Sequence, residues 1–154
     1  AASLRQLEVA TPGMGAATAA LATDAMGVVM EHARVHRLTR NQHVLFRLGE
    51  LVAYAECAGA LARRATAAAG GELAEKADDR FDARALAAIS RVFAREAAAK
   101  VALDGARWVL GAATPGAIDA TAFDTAVGTG AIQQAQTGLI EDMDLVAAVL
   151  YGRG

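Results

Sequence analysis

The stretch Asn41–Gly70, NQHVLFRLGELVAYAECAGALARRATAAAG, decides the fold class. Val44, Leu48, Leu51, Ala55, Ala58 and Ala62 recur at three- and four-residue spacing, which aligns them on one face of a helix. A second row, Leu45, Leu48, Val52, Ala55, Gly59 and Ala62, widens the stripe, and a wide stripe predicts burial against at least two neighbours. Arg47, Glu50, Arg63 and Arg64 fall mostly off it. The taper from Leu and Val to Ala and Gly predicts close backbone approach toward the C-terminal end, and Gly70-Gly71 supplies the stop.

Working outward, the same period recurs. A helix is predicted over 14–38, carrying Ala17, Leu21, Ala25, Val28, Val29, Ala33 and Val35, with Met26 and Met30 as adaptable fillers. Thr39 or Asn41 caps the central helix over 41–69. A polar connector, Glu72–Arg80, is read as solvated. Asp82 then caps a helix over 82–110, striped by Leu86, Ile89, Phe93, Ala97, Val101, Gly105 and Trp108. Leu103 lies in its second row, and Gly111 is its expected end. Asp119 or Thr121 starts a short helix through Val127, Gly128-Thr129-Gly130 is a joint, and a last helix is expected over 131–151. Ser3–Val9 supplies one or two further turns. Four long helices on short connections predict an all-α, antiparallel up-down four-helix bundle with short extra helices, one domain spanning 1–154.

Composition agrees. The chain of 154 residues is 55% hydrophobic but only 5% aromatic, and Ala has the highest helix propensity. A net charge of −2 with interspersed signs lacks the excess of Lys and Arg that a phosphate backbone requires, which argues against nucleic acid as a partner. No apolar run approaches the roughly 18–20 residues of a membrane helix, and no basic amphipathic segment with aromatic anchors suits an interfacial one. Cys57 is the only cysteine, so no intrachain disulfide forms; it is read as a small core thiol in a reducing, cytoplasmic setting. The chain begins at Ala1 without Met and has no leader pattern. That fits initiator removal or a piece of a longer protein.

Constellations that could carry chemistry are sparse. His32 and His36 share a helix face at metal-compatible spacing, but His43 is the only further histidine. Glu31, Glu50, Glu56 and Glu96 are each followed three positions on by a residue other than His, so the ExxH pairs of di-iron bundles are missing. Gly128-Thr129-Gly130 lacks the preceding strand and third glycine of a dinucleotide loop. Glu141, Asp142 and Asp144 diverge around the helix axis and are read as a solvated face, Trp108 as core packing, and Glu96 as edge or arginine-paired. No residue is assigned a catalytic, cofactor-binding or metal-ligating role.

Two stretches resemble the C-terminal helical domain of the acyl-CoA dehydrogenase family. In the central helix the resemblance rests on Gln42, Leu48, Glu56, Ala58, Leu61 and Ala65. In the next, ISRVFAREAAAKVALDGARWVLGA, it rests on Phe93, Glu96, Ala97, Val101, Ala106, Leu110 and Gly111. Arg40-Asn41-Gln42 after a helix is similar to the appended C-terminal domain of the very-long-chain type. The family's Glu-Gly-Thr motif with its catalytic carboxylate is here Val127-Gly128-Thr129, and its double glycine is Gly111-Ala112. The N-terminal helical and middle β domains have no counterpart in the chain. The resemblance therefore implies a non-catalytic helical domain with no cofactor of its own, packing on the flavin-binding body of a parent enzyme or on a second copy of itself. That parent would oxidise acyl-CoA to trans-2-enoyl-CoA with FAD, in fatty acid metabolism. The alternative is a free-standing bundle that binds a small apolar ligand or a partner helix.

Overall fold

The computed structural model describes residues 1–73 and 81–152. Among these the protein is all-helical, without strands: α1 (Ala2–Ala10), α2 (Ala16–Val35), a 3-10 turn (Leu38–Arg40), α3 (Gln42–Ala69), α4 (Ala83–Ala112), α5 (Ala120–Val127), α6 (Thr129–Gln134) and α7 (Leu139–Leu150). The charge cluster Glu75, Lys76, Asp78, Asp79 and Arg80 of the expected connector lies outside the described residues.

Side-chain caps set three starts. Asn41 Oδ1 accepts from the His43 and Val44 N–H groups at 3.0 and 3.4 Å, opening α3. Asp82 accepts from Ala85 N–H at 2.7 Å, opening α4, and Asp119 accepts from Thr121 and Ala122, opening α5. Each satisfies first-turn donors that have no intrahelical acceptor, a contribution of about 1 kcal/mol.

The three long helices, α2, α3 and α4, pack pairwise around the core. His43 meets Trp108, Glu50 pairs with Lys100 and Tyr54 stacks on Phe93, so α3 and α4 run in opposite senses. Gly15 abuts Ser90 and Gly105 abuts Val29, so α2 and α4 run in the same sense. The buried set is mostly alanine, with Leu48, Leu51, Val29, Val101, Val109 and Phe123 as the largest fully enclosed side chains. Small residues let the axes approach, and at Gly105 the missing side chain is occupied by the Val29 methyls. Burial of each such Leu or Val contributes about 1.5–3 kcal/mol.

Several sequence expectations need correction. The first long helix ends at Val35, because Arg37 adopts a positive φ of 56° and a 3-10 turn follows. The third passes Gly111 and ends at Ala112, in the approach to Pro115, which disfavours helical backbone at the residue before it. The last, expected unbroken over 131–151, is two helices parted at Gly138, whose φ is 81°. The break is imposed from α4: Arg95 donates to the Ala135 and Thr137 carbonyls at 2.8 and 2.7 Å, withdrawing them from any continuing helix. Among the described residues no helix is long and apolar enough to cross a membrane.

Candidate interaction surface

The second apolar row of the central helix is where sequence and structure part most usefully. Its members Leu48, Ala55, Gly59 and Ala62 are buried, but Leu45 and Val52 are 48% and 38% exposed. Phe46, 69% exposed, stands beside them. The stripe is wider than its neighbours among the described residues cover.

Helical geometry makes one surface of these residues. Gly49, Ala53, Glu56, Ala60 and Arg63 follow four-three spacing along the outward line of α3, and all five are exposed, with Phe46, Cys57 and Arg64 along one edge. From Leu45 to Ala55 the line carries no charge. The two charges in that half, Arg47 and Glu50, are drawn to the α4 flank. There Arg47 donates to Glu50 at 3.2 Å, Glu50 pairs with Lys100 at 3.2 Å, and Lys100 also holds Asp104. Lys100 first, and Arg47 after it, hold the Glu50 carboxyl below its ordinary range. Arg47 and Arg107 lie over Trp108, 5.6 and 4.9 Å from its ring centre, with His43 edge-on at 5.2 Å. Trp108 thus packs half-buried against the core, as expected, and also serves as a platform for cations at the end of α4.

Cys57, expected in the core, is exposed on the outward face of α3. The alanine periodicity around it fits either face; only the placement of α2 and α4 decides. Glu96 is exposed, and the buried polar residue of that turn is its neighbour Arg95. His32 and His36 stack on each other with ring centres 6.0 Å apart, and His32 sits edge-on to Phe123, while His43 belongs to the Trp108 cluster. Among the described residues no three His, Cys, Asp or Glu side chains converge as a metal site. Gly128 closes α5 and opens α6 with a φ of 78°.

The acidic triplet of the last helix also divides. Glu141 and Asp144 are exposed, but Asp142 is buried, contrary to the solvated face expected of it. It accepts from Arg91 Nε and Nη2 and, at 2.6 Å, from Arg95 Nη1. Arg91 chiefly, with Arg95, holds its carboxyl below the usual carboxylate range. Arg91 also donates to the Gly13 carbonyl, and Ser90 to that of Met14. One α4 segment therefore clasps both the entry to α2 and the α6–α7 turn. The i, i+4 pair Arg91 and Arg95 within an alanine-rich helix was the available signal.

A second apolar feature is a groove of about 270 Å³ between α4 and the α5–α6 segment, floored by Ala102, Ala106 and Ile132, with Leu103 at its rim, 74% exposed. Asp124, Thr129, Gln133 and Gln136 supply its polar edge. On α7, Ile140, Met143 and Leu150 are also exposed.

No protein-family model matches the chain, and neither a curated protein nor a solved structure gives a significant match.

Proposed function

We propose that this chain is a packing domain, whose work is burial of surface and not bond chemistry. The observation that carries the reading is the outward face of α3, where Leu45, Phe46 and Val52 lie exposed and the outward line carries no charge from Leu45 to Ala55. Exposed apolar side chains gathered on one helix face are what a contact surface presents. In this reading the chain is a helical bundle of the up-down kind, with α5–α7 together filling the fourth position beside α2, α3 and α4. By its resemblance it is the non-catalytic C-terminal domain of a cytoplasmic, FAD-dependent acyl-CoA dehydrogenase. The α3 face is then covered by the flavin-binding body of that enzyme or by a second copy of the domain.

The test is to express the complete reading frame that encodes this chain and compare it with the 154-residue chain alone. Flavin absorbance and acyl-CoA oxidation belong to the complete product and not to the 154-residue chain. Flavin or turnover in the short chain contradicts the non-catalytic assignment, and a complete product without flavin contradicts the dehydrogenase reading.

The groove beneath Leu103 favours a second reading, a small apolar ligand held between α4 and α5–α6. Its volume lies near the lower bound of typical ligand sites, roughly 300 Å³.

A further inference from the structure

We infer that the outward face of α3 packs on the same face of a second copy, antiparallel, about a two-fold axis passing beside Ala60, with Glu56 of each copy meeting Arg63 of the other. This rests on the reading of α3 as an interface and names its occupant.

Charge is the first argument. Glu56 and Arg63 are both exposed, and neither forms an ion pair among the described residues. They stand on the same side of the outward line, two turns apart. The rise between them is about 10 Å, too far for a pair within one helix. In a two-fold interface residue i meets j while j meets i. An axis between Gly59 and Ala60 exchanges positions 56 and 63, so both charges are matched at once. A parallel copy in register would set glutamate on glutamate and arginine on arginine.

Side-chain size near the axis fits the same orientation. The uncharged outward residues of the N-terminal half include the large Leu45, Phe46 and Val52; those toward the C-terminal end are small, Ala60, the half-buried Ala67 and Gly70, with Arg63 and Arg64 the large exceptions. An antiparallel copy about this axis lays Val52 over Ala67 and Gly49 over Gly70. Ala60, at the crossing, permits the roughly 8 Å axial separation of close-packed helices. The surroundings leave room for it. The Ala1–Leu4 end of α1 borders the flank formed by Ala55, Glu56, Gly59 and Arg63, yet Ala60 and Ala53 remain exposed. Arg64, on the opposite edge, has a solvent path for its guanidinium.

Sedimentation equilibrium of the 154-residue chain and its charge variants tests this. Wild type is expected to dimerise at micromolar concentration. E56R and R63E each set like charges together twice in the interface and should weaken the dimer by roughly tenfold or more. Two results are specific to the reciprocal pair: the double variant E56R/R63E dimerises again, and an equimolar mixture of E56R with R63E forms a heterodimer. Because these positions are exposed, each variant should keep the wild-type circular dichroism spectrum. A monomeric wild type, or a dimer indifferent to E56R, R63E and A60R alike, overturns the inference. Failure of the broader reading is separable, since Cys57 on the same face reports coverage by any partner: a thiol shielded in the complete gene product beside a monomeric 154-residue chain rejects only the second copy. A thiol equally open in both forms rejects the interface itself.

Discussion

Arg95 donates through Nη1 to Asp142 Oδ2 at 2.6 Å, joining α4 to α7 across 47 positions of sequence. Arg91 reaches the same carboxylate, so two guanidinium groups depend on one acid. Asp142→Asn keeps the shape but removes the charge, leaving both arginines without their counter-ion. The expected loss is about 3 kcal/mol, which in a domain of this size lowers the thermal midpoint by roughly 6–12 °C, measured by circular dichroism. A loss confined to a few tenths of a kcal/mol would mean the clasp is incidental.

The same carboxylate sets an acid limit. Its folded-state pKa lies below its ordinary value, through Arg91 first and Arg95 second. A depressed acid stabilises the fold fully above its unfolded pKa of about 3.9, and that contribution is lost as pH falls through the folded value. Thermal midpoints of wild type should therefore drop below about pH 4, and the gap to Asp142→Asn should close there. A gap constant with pH would place the stabilisation elsewhere.

At Gly105 the two effects of adding a methyl oppose each other. Ala in place of Gly within a helix gains about 1 kcal/mol of propensity. Here, though, the new Cβ would overlap the Val29 Cγ2 methyl across the α2–α4 contact. Overpacking of this kind costs about 1–3 kcal/mol, so Gly105→Ala should be neutral to destabilising in urea titration instead of stabilising. Val29→Ala should cost less in the Gly105→Ala background than in wild type, a coupling that a double-mutant cycle reads directly.

Local chemistry was legible in the sequence. Asn41, Asp82 and Asp119 precede their helices and cap them through contacts two or three residues away. The break at Gly138 was not legible, because its cause is Arg95 on another helix. Nor was the burial of Asp142, since a carboxylate reads as solvated until its arginines are found 47 and 51 positions away. The candidate surface was half-legible. Periodicity placed Leu45 and Val52 on an apolar arc, but no one-dimensional pattern says whether a neighbour covers that arc. Cys57 went to the core for the same reason and lies outside it.

The groove beneath Leu103 separates the two functional readings. Ala99 is exposed at its rim, so Ala99→Trp closes the groove without entering the core. For a packing domain, a fluorescent apolar probe such as anilinonaphthalene sulfonate gives no saturable signal that Ala99→Trp abolishes. A stoichiometric signal lost in that variant would favour ligand binding.

Cys57 offers the most direct measurement of whether the α3 face is covered. Its alkylation by a maleimide, followed by intact-mass spectrometry across a dilution series, compares wild type with A60R. Shielding in concentrated wild type, relieved both by dilution and by A60R, is the result predicted. Equal, concentration-independent rates in the two proteins would contradict the account.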